Sequence, residues 1–194
     1  PRHSVSEIVL SATQGLFHLQ QYALDSCAGA LVLTSSVSIH GRVETSLVDE
    51  NTPIIEPDVY GASKLLVECG FAATADRLPV IALRLPSVLC RLETGSWVPS
   101  LMRKLLANDE VTVFNPEAAF NNAIDVGELS RFVVSSIAKP FRGFQAFPIA
   151  SSGSMTVMEV VKLLQSSVES KSVISVNKTS RRSFAVSSEY ATRF

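Results

Sequence analysis

Two short runs of mainly apolar residues place the strongest limit on the fold of this chain. They lie at residues 30–33 and 80–85, and only Arg84 interrupts the second. Such runs are typical of strands that are covered on both faces. Each run follows a segment with helical periodicity, at residues 6–26 and 60–77. Alternating helices and doubly covered strands predict an α/β fold with a parallel sheet.

The two predicted helices each have an apolar face. In the first helix, the apolar residues recur every three or four positions, which defines one face: Ile8, Ala12, Leu16, Leu19 and Ala23. The predicted apolar face of the second helix comprises Leu65, Leu66, Cys69, Ala72 and Ala73. After residue 90 the pattern loosens, and the predicted elements are helices at 97–107, 125–138 and 157–167 and short extended segments at 111–114, 147–149 and 173–176. The third of these helices begins with a capping box, Thr156 to Glu159.

Composition excludes several classes of protein. A formal net charge of −1 gives no electrostatic support for a nucleic-acid partner, and no apolar run reaches membrane-spanning length. Cys27, Cys69 and Cys90 form no CxxC motif, and His3, His18 and His40 share no metal-ligand spacing, so we expect no metal site. We expect free, buried thiols in a cytoplasmic protein.

The motif with the most chemical content is Tyr60-Gly-Ala-Ser-Lys64. Residues four apart on a helix share a face, so the phenol and the ammonium lie close together. A free phenol titrates near pH 10, but a neighbouring positive charge favours its ionised form, which makes it an acid–base catalyst. The alternative is that a tyrosine and a lysine occur at this spacing by chance. The surrounding sequence decides between the catalytic pair and a chance pair.

The first predicted strand ends in the hydroxyl-rich segment Thr34-Ser35-Ser36. Ligands of parallel sheets bind beyond the carboxyl ends of the strands, where a hydroxyl can bind a substrate oxygen. The alternative is that these side chains only cap backbone groups at the end of the strand.

Three segments together resemble the extended short-chain dehydrogenase/reductases, and more narrowly the NAD-dependent epimerase/dehydratase group. They are LTSSVSIHG at 33–41, YGASK at 60–64 and LRLPSV at 83–88. The segment AIDVGEL at 123–129 resembles a later motif of the same group.

The resemblance implies a Rossmann-like parallel sheet and a small mixed α/β substrate-binding region. Residues 1–90 would form the latter part of the nucleotide-binding domain and 91–194 mainly the substrate region, with 120–138 returning to the sheet. The implied activity is NAD- or NADP-dependent hydride transfer at a hydroxyl or carbonyl carbon of a small molecule, such as a sugar or nucleotide sugar. A non-catalytic Rossmann-fold binding or regulatory module is the alternative.

The family also implies roles for individual residues. Tyr60 is the catalytic acid–base, and Lys64 favours its ionised form and holds the nicotinamide ribose. Ser36 orients the substrate, with Ser35 as the alternative serine and a cofactor contact. Pro86 flanks the nicotinamide. The resemblance also implies a homodimer formed through the helices at 6–26 and 60–77, with Leu10, Phe17, Val67 and Phe71 as candidate contacts.

Two features depart from the family pattern. None of the nine glycines belongs to a GxGxxG or GxxGxxG motif, which would cradle the pyrophosphate of the cofactor. In the family this turn would lie upstream of Pro1, so we expect these 194 residues alone to bind NAD(P) weakly. The uncharged Asn121 stands where nucleotide-sugar epimerases tend to have a diphosphate-binding arginine, which argues against a nucleotide-sugar substrate.

Overall fold

The computed structural model describes residues 4–91, 95–179 and 182–194. His3, one of the three histidines considered above, lies outside these ranges. The helices of the described residues are α1 Val5–Asp25, α2 Val59–Ala72, α3 Trp97–Ala107, α4 Val126–Ile137, α5 Val157–Ser167 and α6 Glu189–Arg193. The strands are β1 Leu31–Ser36, β2 Leu47–Val48, β3 Val80–Leu85, β4 Ser87–Leu89, β5 Val111–Phe114, β6 Ala119–Phe120, β7 Ala123–Asp125, β8 Phe144–Pro148, β9 Met155–Thr156, β10 Ile174–Asn177 and β11 Ala185–Val186.

A parallel sheet of order β1-β3-β8 forms the centre of the fold. This architecture confirms the predicted α/β class. The strand β1 is longer than predicted, because its pairing with β3 continues to Ser36, which lies opposite Leu85. Both Ser35 and Ser36 are therefore strand residues. A 3-10 helix, Val37–His40, follows β1 directly.

The two faces of this sheet carry separate apolar clusters, which explains why the central strand β3 is apolar at every position except Arg84. On one face, α1 and α2 cover a cluster of Ala23, Leu33, Phe71, Leu78, Val80 and Ala82. On the other face, α4 and α6 contribute to a cluster of Ile81, Leu83, Leu85, Ile124, Leu129, Phe147, Ile149 and Ala191. β3 is buried over its whole length, as its apolar run predicts, whereas Thr34 of β1 is exposed.

The helix α2 does not bury the face that its apolar residues predict. Leu66 and Cys69 are exposed, whereas Gly61, Glu68 and Phe71 are buried. The apolar pattern fails here because Glu68, a charged residue, occupies a central position of the buried face and finds an ionic partner in β3. The prediction for α1 holds better, since Ile8, Ala12, Leu16 and Ala23 are its less exposed residues, although Leu19 is exposed.

A third apolar cluster lies between α3, α5 and the parallel pair β5 and β10. Its buried members are Leu101, Leu105, Val111, Val113 and Val161. In contrast, α4 packs on the central sheet through Leu129. The assignment of residues 1–90 and 91–194 to separate domains stays a prediction.

The three cysteines are free and exposed, so the expectation of buried thiols was wrong. The described ranges contain no group of three or more histidine, cysteine or acidic residues that could hold a metal ion. No helix in the described part of the chain combines the length and apolar character that a bilayer crossing requires.

Candidate active site at the end of the central sheet

The first turn of α2 is fixed against the 3-10 helix that follows β1. The carboxylate of Asp58 caps α2 by accepting a hydrogen bond from the Gly61 amide at 2.7 Å. Gly61 approaches Ser38 so closely that an added Cβ would overlap its carbonyl oxygen. This close contact sets the position of Tyr60, which lies next to Gly61 in the chain.

Tyr60 and Lys64 lie side by side on α2. The Lys64 ammonium is 5.7 Å from the centre of the Tyr60 ring, and it donates a hydrogen bond to the Thr34 carbonyl of β1 at 3.0 Å. Tyr60 is 45% exposed. Within residues 4–91, 95–179 and 182–194 its hydroxyl forms no hydrogen bond, so the phenol is free to bind a ligand.

The two predicted serines have different surroundings. The Ser36 hydroxyl is buried and accepts a hydrogen bond from the Ser38 amide at 3.1 Å, which caps the 3-10 helix. The Ser35 hydroxyl points to the α2 side of the sheet and donates to the Glu68 carboxylate at 2.5 Å. Lys64 thus contacts β1, as predicted. No hydrogen bond joins Tyr60 and Ser36 directly.

Pro86 is half-buried and separates β3 from β4. It therefore lies at the same end of the sheet as Ser36, because Ser36 pairs with Leu85, the residue before it.

Sequence reasoning missed a buried ion pair below this end of the sheet. Glu68 on α2 and Arg84 on β3 are 3% and 8% exposed. Arg84 donates through Nη2 to one carboxylate oxygen of Glu68 at 2.9 Å and through Nε to the other at 3.3 Å. The interruption of an apolar strand by Arg84 was the one sequence signal of this pair.

His40 is fully buried at the end of the 3-10 helix. Its Nδ1 lies 3.3 Å from the Pro53 carbonyl oxygen, while its Nε2 has no hydrogen-bond partner among the described residues. Burial, and then the positive charge of Arg84, lower the pKa of His40 below its ordinary value. The ring is therefore neutral near pH 7.

Asn121 does not present its amide to a ligand. Its Nδ2 donates to the Val186 carbonyl at 2.7 Å, and its Oδ1 accepts from the Val186 amide at 2.8 Å. The side chain thus binds the backbone of β11 as a neighbouring strand would. Both polar atoms of the Asn121 side chain are therefore engaged, whereas Oδ1 of the adjacent Asn122 is buried without a hydrogen-bond partner among the described residues.

Two hollows flank the first turn of α2. One is a groove of about 630 Å³ between α1 and α2, lined by Tyr60, Lys64 and residues of α1 such as Ser11 and Ala12. The other has a volume of about 300 Å³ and is lined by Val37, Ser38, Gly41, Val43, Glu56, Asp58 and Phe184. The candidate acid–base pair therefore has space on its exposed side for a bound molecule.

No family model and no curated protein matches this chain. Solved structures do match it. The UDP-N-acetylglucosamine 4-epimerase from Bacillus cereus superposes with a TM-score of 0.78 at 18% identity, covering 99% of this chain and 67% of the epimerase. The corresponding epimerase from Methanobrevibacter ruminantium M1, in complex with UDP-N-acetylmuramic acid, gives 0.77 at 17% identity and covers 98% and 67%.

The dTDP-glucose 4,6-dehydratase from Bacillus anthracis, in complex with NAD, gives a TM-score of 0.74 at 18% identity and covers 97% of this chain and 61% of the dehydratase. The chain thus spans about three fifths to two thirds of the length of these proteins, and 56% of another match. The chain has the α/β fold of these epimerases and this dehydratase, which agrees with the Rossmann-like parallel sheet that its motifs predict.

Proposed function

We propose that this chain carries the catalytic residues of an NAD(P)-dependent epimerase, dehydratase or reductase, which acts at a hydroxyl or carbonyl carbon. The observation that carries this proposal is the pairing of Tyr60 with Lys64 beside the carboxyl end of β1. The phenol is exposed and without a hydrogen bond among the described residues, while the ammonium is already fixed to the Thr34 carbonyl.

In this proposal Tyr60 exchanges a proton with the reacting hydroxyl or carbonyl oxygen of the substrate. The positive charge of Lys64 stabilises the phenolate form of that side chain when it has lost its proton. Ser36 holds the same substrate oxygen, which requires its hydroxyl to keep accepting from the Ser38 amide while it donates to the substrate. We do not assign this role to Ser35, because its hydroxyl donates its hydrogen bond to Glu68.

The residues present fit the nicotinamide end of a dinucleotide. The exposed Tyr60 hydroxyl is available to a ribose hydroxyl, and Lys64 has donor capacity beyond its one bond to Thr34. Pro86, at the β3 end of the same sheet edge, would border the nicotinamide ring. When bound, NAD(P) supplies the hydride acceptor and donor of the reaction. The same cofactor, as NAD, is present in the Bacillus anthracis dehydratase structure.

The substrate class that we propose is a sugar or a nucleotide sugar. The Methanobrevibacter structure contains UDP-N-acetylmuramic acid, which supports the nucleotide sugar. The engagement of Asn121 with β11 argues that any diphosphate is bound by other residues. Turnover measured with a panel of free sugars and nucleotide sugars therefore distinguishes the two substrate classes.

We further propose a homodimer formed through α1. Leu10, Phe17 and Tyr22 are exposed on this helix, and Phe17 is 65% exposed. Phe71, a candidate contact from the sequence, cannot take part because it is completely buried under α1. The exposed apolar side chains of one α1 would pack on the same helix of a second copy, as in an isologous interface.

The experiment that tests the enzymatic proposal uses the complete natural protein with NAD or NADP and the sugar panel. Formation of reduced cofactor is followed by its absorbance, and rearranged products by NMR. We expect turnover with the native protein and a loss of about 100-fold or more in Tyr60→Phe. Cofactor binding without turnover of any substrate would instead support a regulatory module.

A further inference from the structure

The carboxylate of Glu68 joins three elements of the fold at one buried point. Glu68 lies on α2 two turns after Tyr60 and one turn after Lys64, on the side of the helix that faces the sheet. Its Oε1 accepts from the Ser35 hydroxyl at 2.5 Å and from Arg84 Nε at 3.3 Å, and its Oε2 accepts from Arg84 Nη2 at 2.9 Å. One helix is thereby bonded to two different strands.

The register of the sheet places these contacts at one level. Ser35 of β1 lies directly opposite Arg84 of β3, so both side chains reach α2 from the same height in the sheet. One residue before Ser35, the Thr34 carbonyl accepts the hydrogen bond of Lys64. Glu68 and Lys64 therefore bind adjacent residues of β1, and together they fix both the position of α2 along the strand and its rotation.

Net stability alone does not account for such a pair. Removing two charges from water costs free energy that their attraction and hydrogen bonds only partly return, and apolar residues of similar volume often stabilise a protein as well or better. A bidentate arginine–carboxylate pair does provide geometry, because its two parallel hydrogen bonds are directional. An apolar contact between the same elements would permit α2 to slide or turn.

We propose that Glu68, held by Arg84 and Ser35, is a positioning residue that, together with the contact of Gly61 with Ser38, sets Lys64 and Tyr60 at the end of β1. This inference rests on the proposed function above for its kinetic consequence. Glu68 touches neither substrate nor cofactor, and it acts through the placement of α2. A misplacement of about 1 Å in the reacting groups can reduce a rate by about 100-fold, so a helix held by directional bonds serves the chemistry directly.

The test replaces the pair by apolar residues of similar volume, in the double variant Glu68→Leu with Arg84→Met. A matched control, Glu189→Leu with Arg193→Met, removes the exposed ion pair on α6, in which Arg193 Nη1 lies 3.2 Å from Glu189 Oε1. The single variant Glu68→Gln removes the negative charge and leaves the Arg84 guanidinium buried without an opposite charge. Each protein is measured by urea unfolding, by kcat and KM in the cofactor assay, and by crystallography.

We expect the double variant to unfold at a urea concentration only modestly below that of the native protein, because the buried Ser35 hydroxyl loses its acceptor. Its kcat should be lower by about 100-fold, with KM nearly unchanged. Its crystal structure should show that Lys64 has lost the hydrogen bond to Thr34. The control should match the native protein in every measurement. A double variant with native kcat and the Lys64–Thr34 bond intact would overturn the inference and leave the proposed function standing.

The two proposals fail in different ways. A native protein that turns over no member of the panel would contradict the proposed function. The positioning role would then still be decided by the crystal structures, because the bond between Lys64 Nζ and the Thr34 carbonyl is observable without any substrate. Retention of that bond in both Glu68→Gln and the double variant would refute the role of Glu68.

Discussion

Substitution of Gly61 by alanine should impair both folding and catalysis, although alanine is the better helix former. In most helix interiors this change stabilises a protein by roughly 0.5–1 kcal/mol. At Gly61 the new Cβ would overlap the carbonyl oxygen of Ser38 and lie 2.8 Å from its carbonyl carbon. Both obstacles are backbone atoms, so no side chain can rotate away to make room.

The expected size of the effect follows from this geometry. To restore an ordinary contact distance, α2 and the 3-10 helix must separate by roughly 1 Å. Overpacking of this kind costs about 1–3 kcal/mol, which exceeds the gain in helix propensity. Since Tyr60 precedes Gly61, the same displacement moves the phenol relative to the end of β1, and a shift of that size can reduce kcat by about 100-fold.

The matched control is Gly15→Ala on α1. Gly15 is also a helical glycine, but among the described residues no atom lies within 4 Å of an added Cβ. Urea unfolding should therefore show a more stable protein for Gly15→Ala and a less stable one for Gly61→Ala. If both variants were stabilised alike and kept native kcat, the close contact between α2 and Ser38 would not set the position of Tyr60.

Three further predictions concern catalysis, pH dependence and assembly. Tyr60→Phe should lower kcat by about 100-fold or more while cofactor affinity, measured by calorimetry, stays near the native value, because only the proton relay is removed; Tyr22→Phe is the control on an exposed tyrosine. His40 has a folded-state pKa below its ordinary value of 6.5. Its contribution to stability is therefore complete above about pH 6.5 and is lost as the pH falls from there towards the folded pKa, since the unfolded chain binds the proton first. Urea unfolding from pH 7.5 to 5 should show this loss of stability. If the free energy of unfolding of His40→Gln depended on pH as steeply as that of the native protein, the assignment would be contradicted. Phe17→Asp should convert a dimer to a monomer in light scattering, whereas a native protein that is already monomeric would exclude the proposed α1 interface.

The sequence alone was sufficient for the approximate position of most helices and strands, although β1 extends beyond its predicted end and β8 begins before the predicted segment at 147–149. The strand β3 and the helix α3 have their predicted bounds, and α1, α4 and β10 differ from theirs by one residue at each end. These elements are determined by local patterns of apolar residues and by caps, such as the box from Thr156 to Glu159. The pairing of Tyr60 with Lys64 also follows from local geometry, because a spacing of four residues places two side chains on one face of any helix.

Only the tertiary structure decided which face of α2 is buried and what holds it there. The apolar pattern predicted that Leu66 and Cys69 face the core, but Glu68 occupies the interior because Arg84, sixteen residues away, neutralises it. In the same way, the Asn121 side chain forms hydrogen bonds with the backbone of Val186, 65 residues further along the chain. A charged or polar residue becomes stable in the interior only when a partner satisfies it. That partner comes from a distant segment, so the pattern of neighbouring residues carries no signal of it until the chain is folded.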